Sequence, residues 1–143
     1  MRQLAIRTIV FPKDLWAGGK NVFGGWIMGQ MDSAASISLQ AYLTSGALTV
    51  SVSNMHFKKP IHSGDVVSVY TEIKSIGNTS IVMSIEVEVR SHATNKEYLV
   101  TEAEFKFVAV DENFTPIPVC EVLHSNIEDE DFLKLVKEAN CKL

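Results

Sequence analysis

The chain has 143 residues, with hydrophobic residues at 46%, charged residues at 21% and a formal net charge of −4. That is the size of one ordinary domain with enough apolar residues for a core, and its acidic balance argues against a nucleic-acid binder, which needs a basic face. The opening MRQLAIRTIVFPKD has charges inside it and no apolar run of leader length, so no secretory signal is expected.

Arg2 to Phe11 alternates loosely through Leu4, Ile6, Thr8 and Val10 and predicts a first strand. Pro12 to Lys20, with Gly18-Gly19, reads as a loop. Gly24-Gly25 then opens an apolar helix expected to reach about Leu43, with Gly46 marking its end. Its apolar residues Ile27, Met28, Met31, Ala34, Ala35, Ile37, Leu39 and Tyr42 cover most of the circumference, which predicts burial on most sides. The surrounding region, Val22 to Met55, is too often broken by polar residues and glycines to span a membrane.

Four strand-like runs follow: Leu48 to Lys58, Asp65 to Ile76, Ser80 to Arg90 and Tyr98 to Val110. The last three alternate with period two. Val67, Val69, Thr71 and Ile73 oppose Ser68, Tyr70, Glu72 and Lys74; Ile81, Met83, Ile85, Val87 and Val89 oppose Ser84, Glu86, Glu88 and Arg90; Leu99, Thr101, Ala103, Phe105 and Phe107 oppose Glu102, Glu104 and Lys106. One wet and one dry face is the mark of an antiparallel sheet. The tail from Asn126 to Lys142 reads as an amphipathic helix, which divides the chain into a body of residues 1–120 and a helical tail of 121–143. The expected class is α+β, one curved antiparallel sheet wrapped around a long central helix. That helix has more apolar surface than one sheet face can cover, so a second copy of the chain is expected to cover the rest.

Between Val22 and Met55 the only ionised side chain is Asp32. A buried carboxylate without a cation is costly, which leaves two readings open: a satisfied core aspartate or a catalytic one. The remaining chemistry is sparse. No G-x-S-x-G elbow, G-x-G-x-x-G or G-x-x-x-x-G-K occurs, and the four histidines show no metal spacing. No metal or cofactor is expected. Cys120 and Cys141 also lack metal spacing and read as the reduced thiols of a cytoplasmic protein.

The helix opening FGGWIMGQMD, the downstream HFKKPIHSGD, the turn IGNTS and the strand FKFVAVDEN together resemble the hotdog-fold acyl-CoA thioesterases, in particular the short bacterial acyl-CoA hydrolases with one hotdog domain per chain. The resemblance runs from about Arg2 to Pro118. It implies an acyl-CoA substrate, a homodimer whose sheets run on continuously, an active site at the dimer interface, and dimers assembled as a trimer of dimers. It marks Asp32 as the catalytic acid residue, either general base on water or direct nucleophile. Gly24 and Gly25 stand where free N–H groups at a helix start could hold a developing oxyanion. The family's loop asparagine, six residues ahead of the Phe of FGG, falls here on Ala17, and the only asparagine in that loop is Asn21. Gly77, Asn78, Thr79, Ser80, Lys58, Arg90 and His56 are the implied contacts for coenzyme A, although Lys58 and Lys59, each taken alone, read as solvated surface charges and His56 as a strand-edge histidine. Against catalysis stands a non-catalytic acyl-CoA-binding or sensor protein, for which the missing loop asparagine speaks. A hotdog dehydratase is disfavoured because this helix carries no glutamate.

Overall fold

The structure, a computed structural model, describes residues 1–141. Its elements in chain order are β1 (Gln3–Ile9), α1 (Gly24–Gln40), β2 (Gly46–Ser53), β3 (Val66–Ile76), β4 (Ser80–Arg90), β5 (Glu97–Val110) and α2 (Glu130–Glu138), with single 3₁₀ turns at Pro12–Asp14 and Val119–Glu121. The strands form one five-stranded sheet in the order β1-β3-β4-β5-β2, and every pairing is antiparallel. This is the α+β architecture that the sequence pattern predicts, one antiparallel sheet against one long helix, and the hotdog fold that the resemblance implies.

The core forms where α1 crosses the sheet. Ile27, Met31, Ala34, Ala35 and Leu39 are its buried residues, at the i, i+4, i+7 spacing of one helical stripe. They meet Val67 and Val69 of β3, all five predicted inward residues of β4, and Ala103, Phe105 and Phe107 of β5. Ala34 and Ala35 have no exposed surface, and their small side chains let the helix axis approach the sheet.

The opposite stripe of α1 is bare. Gly25, Met28, Gly29, Asp32, Ser33, Ser36, Ile37 and Gln40 are exposed, so in one protomer the helix is buried on one side, not most sides. Asp32 itself is exposed, which corrects its reading as a buried carboxylate: as the ninth residue of the helix it falls on the face turned away from the sheet.

Other boundaries shift for local reasons. Helix α1 ends at Gln40, not Leu43, with Ala41 as its C-cap, and Gly46 opens β2 instead of closing the helix. Strand β2 stops at Ser53 because Asn54 adopts a left-handed backbone with φ 58°. In β5 a register shift pairs Val87 with Thr101 but Glu88 with Leu99, leaving Val100 unpaired between them. The bulge turns Val100 into the core and leaves Leu99 half-buried, against the expected alternation.

Helix α2 begins later than expected because Asp129 is its N-cap, accepting the Phe132 N–H at 3.1 Å. It ends before Asn140, whose φ is 60°; the predicted end at Lys142 lies outside the described residues. Its Phe132 stacks on Tyr42, ring centroids 3.9 Å apart and 12° from parallel. Cys120 and Cys141, expected as free thiols, are joined by a disulfide with Cα atoms 5.3 Å apart. A cross-link between residues 21 apart in sequence stabilises a fold by about 3 kcal/mol.

The Tyr42 hydroxyl donates to the Asp129 carboxylate at 2.6 Å. Burial, then Asp129, pushes the Tyr42 phenol up, and the Tyr42 hydrogen bond, ahead of all other causes, holds the Asp129 carboxyl below its ordinary value. An aspartate pKa lowered by folding contributes stability that is present above the ordinary value of about 3.9 and lost as pH falls through the lowered one. Tyr42→Phe keeps the ring stack and removes the hydroxyl. Urea unfolding is expected to show a loss of about 1–2 kcal/mol at pH 7, shrinking as pH falls below about 4; a loss independent of pH there contradicts the assignment.

Candidate active site

Asp32 is held by β2. The Thr49 hydroxyl donates to its Oδ1 at 2.5 Å, and among the described residues it enters no ion pair. One carboxylate oxygen is thus oriented by the hydroxyl. Thr49 lies on β2, one of the sheet's two edge strands, opposite Phe107 of β5. Its role could not be found in the sequence: Thr49 and Asp32 are 17 residues apart, and only the folded β2 brings them together.

Around this pair the surface is apolar and unfinished. Of the residues of β2 only Ala47 is even partly buried, and Leu48, Val50 and Val52 stand 37–53% exposed along the sheet edge. Met28 and Ile37 flank Asp32 on α1, at 41% and 51% exposure. A long apolar sheet edge with unpaired backbone groups is a pairing template.

Gly24 and Gly25 begin α1. Neither is required by the protomer: a Cβ on Gly24 would lie 3.5 Å from Phe57, and one on Gly25 would lie 3.4 Å from Phe23, both ordinary contacts, while Gly29 has nothing within 4 Å. Glycine in a helix interior costs about 1 kcal/mol relative to alanine, so the exposed Gly29, with Gly25 one turn before it on the same stripe, suits a face that another surface approaches closely. Asp32 follows Gly24 by eight residues and Gly25 by seven, a rise of about 10–12 Å along the axis. Within one chain the helix start and the carboxylate cannot both touch one carbonyl group.

Asn21 sits just before that helix start. Its carbonyl accepts the Trp16 N–H at 2.8 Å, and its backbone bridges to His62. With Gly24, Ile27, Phe57, Lys58 and Ile61 it lines a cleft of ≈ 330 Å³, and with Trp16, Gly19, Lys20, Phe23 and Gly24 a neighbouring one of ≈ 320 Å³. The fold therefore gathers Asn21, Gly24 and Lys58. Lys58 Nζ also lies 3.4 Å from Glu102. His56 is exposed beside this group, its carbonyl accepting the Thr101 hydroxyl at 2.6 Å. Lys59 stands over the Tyr98 ring at 4.9 Å.

The turn from Gly77 to Ser80 joins β3 to β4. Gly77 N–H donates to the Ser80 carbonyl at 2.7 Å, and the Asn78 and Thr79 carbonyls accept the N–H groups of Val119 and Ala109 at 2.8 and 2.9 Å. Arg90 lies at the other end of the eleven-residue β4, about 33 Å away along an extended strand. It lines a separate cleft with Arg7, Ser68, Tyr70 and Glu97, so no single protomer brings Arg90 and the turn to one phosphate. Among the described residues no group of three or more His, Cys, Asp or Glu is gathered for a metal ion, and no helix is long and apolar enough to cross a membrane.

Residues 19–95 match the family model described as the thioesterase superfamily. An uncharacterized acyl-CoA thioester hydrolase of Haemophilus influenzae is 42% identical over 113 residues, covering 77% of this chain and 73% of that protein. The acyl-CoA thioester hydrolase YciA of Escherichia coli is 40% identical over 116 residues, covering 79% and 87%. Among solved structures, a hexameric thioesterase from Yersinia pestis superposes with a TM-score of 0.76 at 38% identity, covering 87% of this chain and 97% of the other. A hexameric broad specificity acyl-coenzyme A thioesterase does so at 0.80 and 35%, covering 97% and 92%. The chain belongs to the thioesterase superfamily and carries its hotdog fold.

Proposed function

We propose that this thioester hydrolase cleaves acyl-CoA to free acid and coenzyme A at a site shared by two copies of the chain. The observation that carries the reading is the Asp32–Thr49 pair standing on an uncovered helix face beside an uncovered sheet edge. The two partners of the reaction, a carboxylate and a helix N-terminus, lie about 10–12 Å apart on the same helix. They can meet at one thioester only if Asp32 of one chain faces Gly24 and Gly25 of another. A homodimer joined along β2 supplies that arrangement, and three such dimers make the hexamer that the Yersinia pestis protein is described as forming.

In this reading the water or the carboxylate attacks the thioester carbon. Asp32, oriented by Thr49, is either the base that takes the water proton or the nucleophile that forms an acyl anhydride. The Gly24 and Gly25 N–H groups at the start of the partner helix, which precede the first intrahelical bonds, stabilise the oxyanion, while the Trp26 N–H already donates to the Phe23 carbonyl at 3.1 Å. Asn21, at the mouth of the same clefts, stands in for the loop asparagine absent at Ala17. The Gly77–Ser80 turn of one chain and Lys58 of the other hold coenzyme A, because the Lys58 N–H donates to Val100 toward the far end of β4 from the turn. His56 is at the rim beside Lys58, and Arg90 is likewise available only to a coenzyme that reaches a neighbouring protomer. Residues 1–120 are the catalytic body and 121–143 a tail behind it, and the enzyme works in the cytoplasm. It acts without a cofactor, membrane or nucleic acid. The alternative, a non-catalytic acyl-CoA binder, keeps the same pocket and differs only in releasing no thiol.

Two substitutions test the site. Asp32→Asn is expected to lower kcat by about 10²–10⁴-fold in a thiol-release assay on an acyl-CoA panel, with unchanged unfolding midpoint and retained coenzyme A binding; near-normal turnover removes Asp32 from the chemistry. Thr49→Val keeps the shape of β2 and removes the donor. A loss of about tenfold in kcat, equal to ~1.4 kcal/mol, with little change in KM is expected, whereas a pure KM effect assigns Thr49 to substrate binding instead.

A further inference from the structure

The chain has two cysteines. They are joined to each other, and neither is fully buried. Cys120 directly follows Val119, whose N–H donates to the Asn78 carbonyl at 2.8 Å. At the other end Cys141 donates its N–H to the carbonyl of Val136 at 3.2 Å, and Val136 has no exposed surface. The disulfide therefore ties the C-terminal end of α2 to the short segment that braces the Gly77–Ser80 turn. Without the bond, α2 keeps the Phe132–Tyr42 stack and the Tyr42–Asp129 hydrogen bond, but its C-terminal end is joined to that segment only through the length of the intervening main chain.

We propose that Cys120–Cys141 is a thiol-exchange site at which free coenzyme A, the thiol that hydrolysis releases, opens the staple behind its own binding turn. This rests on the reading of the chain as an acyl-CoA hydrolase. In the exchange, the coenzyme thiol loses its proton to water, and the resulting thiolate attacks one sulfur of the disulfide. A sulfur–sulfur bond forms between coenzyme A and that cysteine as the Cys120–Cys141 bond breaks. The departing cysteine leaves with the electron pair as a thiolate and takes up a proton. The protein disulfide is itself the oxidant, and the adduct retains every atom of both reactants. A second thiol attacking the mixed disulfide would leave two cysteine thiols and a small-molecule disulfide. Opening frees Cys120 and its neighbour Val119 from α2, so the turn loses its brace and holds coenzyme A less tightly. Product accumulation thereby loosens product binding.

The oxidised full-length protein is incubated at equal millimolar concentrations with coenzyme A, desulfo-coenzyme A or glutathione, then acid-quenched for intact mass under non-reducing conditions. The expected result is a gain of one whole coenzyme A per chain, forming at least about tenfold faster than the glutathione adduct because the turn concentrates it, and no gain with desulfo-coenzyme A. Hydrogen exchange at Val119 and along α2 should quicken in the opened form. Cys141→Ser, which has no disulfide, should gain nothing from reduced coenzyme A. Failure of both thiols to open the bond overturns the site. Equal rates with coenzyme A and glutathione overturn guidance by the turn, and unchanged exchange at Val119 overturns the coupling. If exchange occurs as described but no acyl-CoA is hydrolysed, the hydrolase reading falls and the exchange site stands.

Discussion

A helix lying across one sheet can bury only the stripe that faces it, and α1 is built around that limit. Its inward stripe, from Ile27 to Leu39, is apolar and fully covered. Its outward stripe combines glycines, serines, two exposed apolar residues and one carboxylate. An outward face on an ordinary surface helix would be dense with charge; this one has a single charged residue. The composition of that stripe suits close contact with another surface, and the bare apolar edge of β2 beside it has the same character. The two features adjoin because Thr49 of β2 reaches Asp32 of α1.

That contact converts a packing feature into chemistry. A carboxylate on a helix face is normally free to rotate. Here a strand hydroxyl fixes one oxygen, and the strand is itself held by seven paired positions along β5. The sheet thus positions the carboxylate that we propose to be reactive, while the helix axis sets its distance from the N–H groups at the helix start. Because that distance is too long for one thioester, the proposed function has the same rigid helix serve two sites, contributing its carboxylate to one and its N-terminus to the other. Substrate hydrolysis and assembly then become one requirement.

Much of the architecture could be read in the sequence because the sheet is wet on one side. Strict alternation in β4, from Ile81 to Val89, predicts its buried face residue by residue. In β5 the alternation breaks at Val100, where a bulge adds one residue; nothing in the chain's own pattern signals it. The C-terminal helix is amphipathic over a longer stretch than folds as helix, since Asp129 caps it late. Asp32 stands out by charge alone, but its exposure does not: a sequence gives the period of a helix, not which side the sheet covers in one protomer. Thr49 and the pairing of Cys120 with Cys141 depend on contacts between distant residues. The glycines at 24, 25 and 29 are visible as letters, yet only the fold reveals that the protomer has room for side chains there.

The shared site is tested most directly by mixing subunits. Asp32→Asn and Gly25→Val chains, each carrying a different tag, are co-expressed, and the heterodimers are isolated through both tags. In such a dimer one site carries both defects and the other carries neither. The account predicts two nearly inactive homodimers and a heterodimer that recovers about half the wild-type thiol release per dimer. A heterodimer no more active than its parents would mean that each chain completes its own site, contradicting the division of labour along α1.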